Sequence, residues 1–129
     1  TEAITATNTS VYVGTDDPST APEITLPAVG SSVSFYDIPY AVDQFYKVVL
    51  TVPTTMKLTT DWADHGADID QLWMNDAFAL IAPFTAATGS APEVSTAVYA
   101  AGTYYFFANQ YDGDPGDWYK FTLEVVSQP

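Results

Sequence analysis

Apolar and polar residues alternate with a period of two along three segments of the chain, at about residues 56–62, 93–98 and 119–125. Successive side chains of a β-strand point to opposite faces, so each segment is predicted to be a strand with one buried and one solvated face. The residues that share one face are Met56, Leu58, Thr60 and Trp62 in the first segment, and Tyr119, Phe121, Leu123 and Val125 in the third. In the second segment Val94, Thr96 and Val98 lie on one face, and Glu93, Ser95 and Ala97 lie on the other.

Two further segments, Phe45 to Val52 and Thr103 to Ala108, are apolar on both faces. This pattern predicts central strands that are covered on both sides. No stretch repeats with the period of an amphipathic helix, and from Glu23 onward turn-forming residues recur about every eight to twelve residues. The chain is therefore predicted to be all-β, an antiparallel sandwich or barrel.

The N-terminal part has a different composition, since residues 1–22 are rich in Thr, Ser and Ala. That composition predicts an extended arm or linker, with one short strand at Val11–Val13, ahead of a single β-domain formed by residues 23–129. No apolar run approaches the roughly 18 residues that a membrane span needs. No charged and then apolar segment opens the sequence either, so we expect the mature part of a secreted protein, with an extracellular or cell-surface location.

The charge of the chain excludes several classes of partner. It has sixteen Asp and Glu residues, three lysines and no arginine, and its formal net charge is −13. Nucleic-acid binding needs many cationic side chains, and an anionic membrane surface would repel this chain. Cations, calcium above all, are the partners that such an excess of carboxylates favours. The chain has no cysteine, so disulfides and thiolate metal sites are excluded.

Two groups of acids are candidate calcium ligands. The first group, Asp112, Asp114 and Asp117, lies in a loop with glycine and proline between two predicted strands. Short loops of this kind supply several carboxylate oxygens to calcium. Asp, Gly and Pro are also the residues of ordinary hairpin turns, and both interpretations stay open.

Asp61, Asp64, Asp68 and Asp70 form the second group, from which Asp68 and Asp70 are the predicted ligands. By strand alternation they share a face with Leu72 and Met74. Besides binding calcium, these acids could cap backbone amides where the strand begins, and the sequence leaves both roles open.

The sequence contains no recognisable catalytic machinery. Its single histidine, His65, lies in an acidic loop and is expected to be solvated. Neither a Gly-x-Ser-x-Gly motif nor a His-Glu-x-x-His motif occurs. Paired carboxylates are plentiful, but a glycosidase needs a deep cleft, and a sandwich of this size has little wall from which to build one. We therefore predict that the chain is not an enzyme.

Aromatic residues form a candidate ligand-binding surface. Tyr111 and Trp118 flank the loop of residues 112–117, and alternation places Trp118 on the solvated face with Lys120 and Thr122. An exposed Tyr/Trp pair beside carboxylates would suit a glycan or a peptide. Shielding of a sheet edge is the alternative role.

Four short pieces of the sequence occur in an order that resembles a known family. They are Val42–Val48, an acid and aromatic opening strand; Asp68–Met74, an acid and aliphatic strand; Pro92-Glu93; and Ala101–Tyr105, the approach to a last hairpin. Together, over about residues 42–126, they are similar to bacterial pre-peptidase C-terminal domains, small modules appended to secreted proteases, which include collagen-binding modules of bacterial collagenases. The resemblance implies an antiparallel jelly-roll-like β-sandwich of about eight strands that binds or assembles and does not catalyse.

We therefore expect a non-catalytic extracellular binding or accessory module, stabilised by calcium, whose partner is an extracellular polymer, either a protein or a polysaccharide. The alternative is a self-assembling structural subunit of a surface layer, filament or virion, whose partners are copies of itself. In that case the polar arm of residues 1–22 would add a strand to the open edge of a neighbouring copy, and the acidic loops would help to join the copies.

Overall fold

The computed structural model describes residues 12–81 and 92–129, which form a sandwich of two four-stranded antiparallel sheets. The strands are β1 Ser32–Asp37, β2 Asp43–Leu50, β3 Thr54–Trp62, β4 Asp68–Met74, β5 Leu80–Ile81, β6 Glu93–Tyr99, β7 Gly102–Asp112 and β8 Tyr119–Ser127. The helical structure in the described ranges is a 3-10 turn at Pro18–Thr20, which the side chain of Asp17 caps. No helix in this part of the chain is long and apolar enough to cross a membrane.

The strand order identifies the architecture. One sheet, sheet A, has the order β1-β8-β3-β6, and the other, sheet B, has the order β2-β7-β4-β5. Strands that are distant in sequence therefore lie side by side, in the interleaved arrangement of an eight-stranded, double-sheet jelly roll. The predicted fold class, an antiparallel jelly-roll-like β-sandwich of about eight strands, is confirmed.

Aromatic side chains fill the space between the sheets. The ring centroid of Phe121 in β8 lies 5.3 Å from that of Phe35, 4.7 Å from that of Tyr46 and 5.7 Å from that of Phe106. The buried faces predicted for β3 and β8 are confirmed. Their buried residues are Met56, Leu58, Thr60 and Trp62 in β3 and Tyr119, Phe121, Leu123 and Val125 in β8.

The strand β6 has one buried and one solvated face, as predicted, but the buried face is the polar one. Glu93 and Ser95 are buried, whereas the valines of the strand are exposed. The reason lies at the end of the strand, where the ring of Tyr99 packs against Trp73 in the core with centroids 4.7 Å apart. Strict alternation back from Tyr99 then turns Ser95 and Glu93 inward.

The two segments that are apolar on both faces have different positions in sheet B. β7 is a central strand and Tyr105 to Ala108 are buried on both faces, which confirms the prediction for that segment. The prediction of a central position is wrong for β2, which lies at the edge of the sheet. An N-terminal segment runs beside this edge, where Thr15 and Phe45 exchange backbone hydrogen bonds and the Ile24 N–H donates to the Lys47 carbonyl over 2.8 Å.

Part of the predicted N-terminal arm thus packs on its own domain. Residues 1–11, half of the arm that the self-assembly hypothesis uses, lie outside the described residues. Tyr12 and Val13 are not in a strand, and Val11 also lies outside the described residues. The division of the chain at residue 22 stays a prediction.

Gly14 fixes the position of this N-terminal segment. Its N–H donates to Oδ2 of the buried Asp37 over 2.6 Å, and the Tyr46 hydroxyl donates to the same oxygen over 2.6 Å. The Tyr40 hydroxyl donates to the Gly14 carbonyl. A Cβ at position 14 would lie 2.6 Å from Cζ of Tyr46, closer than any side chain can approach, so the contact requires glycine.

We expect a Gly14→Ala variant to lose about 1–3 kcal/mol of the free energy of unfolding, because the added methyl group must displace either the segment or the Tyr46 ring. Urea unfolding measures this loss. Gly66→Ala is the matched control, since a Cβ there would meet only the side chain of Asp64, at 3.2 Å. Equal losses in the two variants would contradict the close packing of Gly14.

The buried Asp37 predicts a pH dependence of stability. Burial raises its pKa, and the hydrogen bonds from Tyr46 and Gly14 act in the opposite direction. A carboxyl group whose pKa is raised by folding stabilises the protein below its unfolded pKa, and this contribution is lost as the pH rises through the folded pKa. The stability of the native protein relative to Asp37→Asn should therefore decrease as the pH rises above about 4. Urea unfolding of both proteins between about pH 4 and pH 7 measures the free energy of unfolding of the native protein minus that of Asp37→Asn. An increase of this value with pH would refute the prediction.

Candidate functional site

One end of the sandwich collects most of the carboxylates of the chain. β1, β3 and β7 end there, while β2, β4, β6 and β8 begin there, as the pairing registers show. We call this region the acidic end. The carboxylates that the topology gathers at it are Asp37, Asp43, Asp61, Asp64, Asp68, Asp70, Glu93, Asp112, Asp114 and Asp117.

The loop of residues 112–117 packs against the loop that follows β3. The Asp64 N–H donates to the Pro115 carbonyl over 2.7 Å. Gly116 permits this close approach, because its φ is +92° and a Cβ at this position would lie 2.8 Å from Cβ of Ala63. A depression between the two loops is lined by Ala63, Asp64, Gly116 and Asp117.

The first group of predicted calcium ligands is solvated. Asp112, Asp114 and Asp117 are all exposed. An oxygen of Asp114 accepts a hydrogen bond from the Gly116 N–H over 2.8 Å, as in an ordinary turn. The calcium role of these three residues stays a prediction.

A second group of acids converges beside β4, and we call it the acid triad. Ligand oxygens of Asp68, Asp70 and Glu93 all lie within 4.8 Å of one another, and no other group of three or more His, Asp or Glu residues does so in the described ranges. Asp70 and Glu93 are buried, and Asp68 is partly buried. Oδ1 of Asp68 and Oδ1 of Asp70 are buried without a hydrogen-bond partner among the residues that the structure describes.

The charge of the acid triad needs compensation. Two unit negative charges 4.8 Å apart repel by about 3 kcal/mol at an effective dielectric constant of about 20. Burial, and then the negative charge of Asp68, raise the pKa of Asp70. Within the described residues, no lysine forms an ion pair with Asp68 or Asp70. A proton or a bound cation would reduce this repulsion between Asp68 and Asp70.

The buried side chain of Gln71 holds Glu93 beside β4. Its NH₂ group donates to the carbonyl of Glu93 over 3.2 Å, and to the Leu58 carbonyl and the Thr60 hydroxyl, each over 3.0 Å. Its side-chain carbonyl accepts a hydrogen bond from the Ser95 hydroxyl over 2.5 Å. Because Gln71 belongs to sheet B and its four partners belong to sheet A, this amide connects the two sheets next to the acid triad.

Two of the three acids are among the calcium ligands predicted from the sequence. Asp68 and Asp70 lie on the face of β4 opposite Ile69 and Trp73, which belong to the core between the sheets. Glu93 was not assigned to the group. The signal that could have found it is its parity with Tyr99, because two positions an even number apart share one face of a strand, and a large aromatic residue marks the buried face.

Exposed apolar side chains also lie at the acidic end. Ile38, Tyr40 and Val42 in the loop between β1 and β2 are each more than half exposed, and Tyr111 is 72% exposed. The N–H of Gln110 donates to the carbonyl of Val42 over 2.9 Å, so Tyr111 lies next to this loop. We call these four side chains the apolar patch.

Tyr111 is the extra residue of a β-bulge. On either side of it, Gln110 pairs with Ile69 and Asp112 pairs with Asp68, so that Tyr111 has no partner on β4. Bulges change the direction of side chains and are common beside functional sites. The exposure predicted for Tyr111 is confirmed.

The exposure predicted for Trp118 is wrong, because this side chain is only 5% exposed. Its ring packs edge-on against Tyr36 with centroids 5.4 Å apart, and Nζ of Lys120 lies 5.4 Å from the centroid of the same Tyr36 ring. The carbonyl of Trp118 accepts a hydrogen bond from the Ala63 N–H over 3.0 Å. Alternation along β8 alone predicts that Trp118 is exposed, but Tyr36 of the neighbouring strand β1 and the loop after β3 cover it. The ligand-binding role given to Tyr111 and Trp118 stays a prediction.

The single histidine is exposed, as expected for a loop residue. Nε2 of His65 lies 3.0 Å from Oδ1 of Asp61, four residues earlier in the chain. The contact is an ordinary surface pair.

Comparison with known proteins supports the fold. No protein-family model and no curated protein matches the chain. Among solved structures, the pre-peptidase C-terminal domain of collagenase from Bacillus anthracis matches with a TM-score of 0.57 and 17% sequence identity, over 86% of this chain and 99% of that one. An identity this low shows the fold alone. The resemblance seen in the sequence is confirmed at that level: the chain has the fold of a bacterial pre-peptidase C-terminal domain.

Proposed function

We propose that this chain is a non-catalytic binding module of a secreted protein and that it works outside the cell. The shared fold with the pre-peptidase C-terminal domain of a collagenase supports this proposal. The chemistry of the described residues agrees with it, because their one histidine is a solvated surface residue and the chain has no cysteine. The acids that converge in the acid triad are mostly buried, where a substrate cannot reach them.

The partner of the module is an extracellular polymer, either a protein or a polysaccharide, and the apolar patch is the surface that contacts it. The observation that carries this proposal is the exposure of four large apolar side chains together at one end of the sandwich. Isolated exposed apolar residues are common, but a contiguous patch with a polar rim is typical of a binding surface. Tyrosine suits such a surface because its ring packs on a ligand while its hydroxyl stays hydrogen-bonded.

Calcium is the ion that stabilises the module. A chain with a net charge of −13 and no arginine has few other means to neutralise converging carboxylates. The candidate ligands are six of the carboxylates at the acidic end. They comprise Asp68 and Asp70, with Glu93 beside them, and the exposed Asp112, Asp114 and Asp117.

Polymer binding is tested with a Tyr111→Ala variant. We expect its affinity for the polymer to fall by about fivefold or more, because buried tyrosines at interfaces contribute more than about 1 kcal/mol. Co-sedimentation with insoluble collagen and with insoluble polysaccharides measures the affinity. Val98→Ala is the control, since its side chain is also 72% exposed but lies toward the other end of the sandwich. Unchanged binding by Tyr111→Ala, or equal losses in both variants, would count against the apolar patch.

Calcium binding is tested by thermal unfolding. At a concentration about 100 times its dissociation constant, an ion that binds only the folded state adds about 2.7 kcal/mol. For a domain of this size, that corresponds to a rise in Tm of about 10 °C. Calorimetry in EDTA and in millimolar calcium, with magnesium as the control ion, measures the rise. An identical Tm in EDTA and calcium would show that the proposed stabilisation does not occur.

A further inference from the structure

We propose that the acid triad is an intersheet site for one divalent cation, in which Asp68 and Asp70 of sheet B and Glu93 of sheet A are the protein ligands. This inference deepens the calcium part of the proposed function and does not depend on the polymer.

Two independent observations point to a cation at this site. The first is the convergence of three carboxylates whose oxygens lie within 4.8 Å of one another. The second is the state of Asp70, which is 7% exposed and keeps one buried oxygen without a hydrogen-bond partner among the described residues. Buried carboxylate oxygens are normally satisfied by donors or by a metal ion. The neighbouring Asp68 also has a buried oxygen without a described partner.

The composition of the site selects a hard cation. All three side chains are carboxylates, and neither histidine nor cysteine belongs to the group. Oxygen ligands of this kind suit calcium, magnesium and manganese and are poor ligands for soft metals. Calcium is favoured among these ions because it accepts bidentate carboxylates in irregular geometry, whereas magnesium demands a near-ideal octahedron and keeps several waters.

The position of the site explains what the ion would do. In the described ranges β5 pairs only with Trp73 and Met74, so the stretch of β4 that carries Asp68 and Asp70 pairs with β7 on one side alone. Glu93 is the first residue of β6, which is the edge strand of sheet A. A cation bound by both Asp70 and Glu93 would therefore connect β4 of sheet B to β6, the edge strand of sheet A. The Gln71 amide already holds the Glu93 backbone at the right place.

The loop of residues 112–117 offers a control outside the acid triad. Asp114 and Asp117 are exposed, and an oxygen of Asp114 is engaged by the Gly116 N–H. Asp114→Asn is therefore a matched control, in which one carboxylate at the same end of the molecule is neutralised outside the acid triad.

The experiment is calcium titration by calorimetry of the full chain and of the Asp70→Asn, Glu93→Gln and Asp114→Asn variants. We expect the Asp70→Asn and Glu93→Gln variants to bind calcium about tenfold or more weakly, because affinity follows the number of charged ligands. We expect Asp114→Asn to stay within about twofold of the native affinity. In EDTA, Asp70→Asn should melt no lower than the native protein, since it removes a buried charge from a repelling group.

A second measurement tests the link between the sheets. Calcium should slow hydrogen exchange of the β6 amides in the native protein and leave their exchange unchanged in Asp70→Asn. Slowed exchange in both proteins would refute the role of the acid triad.

The outcomes separate the two proposals. If the native chain binds no calcium, both this inference and the calcium part of the proposed function fail, whatever the polymer assay shows. If the chain binds calcium and only Asp114→Asn loses affinity, the calcium part stands and the acid triad is refuted. If Asp70→Asn melts lower than the native protein in EDTA and binds calcium normally, Asp70 has a purely structural role and the inference is overturned.

Discussion

The aromatic layer between the sheets determines where the polar groups of this protein lie. Phe121 packs against rings from both sheets, and each such ring buries a large apolar area on folding. Tyr46, in the same layer, presents its ring to Gly14 and thereby fixes the N-terminal segment along the edge of β2. At the other side of the layer, Tyr99 packs against Trp73 and fixes which face of β6 is buried. Glu93 is carried inward as a consequence, and it could not be exposed without removing the Tyr99 ring from the core.

Those elements whose burial follows from local composition were predictable from the sequence. In β3 and β8 large apolar residues recur at every second position, interrupted only by Thr54, Thr60 and Ser127, so the period gives both the strand and its buried face. In β6 the period predicts the strand but not which face is buried. One face carries Val94 and Val98, and the other carries a single large apolar residue, Tyr99, at the end of the strand. Trp118 shows a different limit, since the Tyr36 ring that covers it comes from a strand far away in the sequence. Neither the edge position of β2 nor the closeness of Asp70 to Glu93 has a local signal, because both depend on which strands become neighbours.

The jelly-roll topology, more than any motif, creates the acidic end. Acids that are far apart in the sequence become neighbours because seven strands begin or end at the acidic end of the sandwich. The three lysines of the chain are too few to neutralise the acidic end. Two of them lie on sheet A, away from the acid triad: Lys57 is in register with Glu124, and Lys120 with Asp61. The remaining carboxylates must stay solvated, take up protons or bind cations. The exposed Asp114 illustrates the first of these solutions, and burial, which raises the pKa of Asp70, favours the second.

The apolar patch and the acid triad lie at the same end of the sandwich and meet at β7, since Tyr111 of the patch lies in the bulge opposite Asp68 of the triad. The patch is built where β2 meets β7, and the Gln110 side chain, which donates to the Ala41 carbonyl over 2.7 Å, supports its loop from within. The triad lies on the far side of β4, where Gln71 connects the sheets. A change in the charge of the triad therefore acts first on the junction of β4 and β6. β7 pairs with both β2 and β4, so the same strand borders both regions.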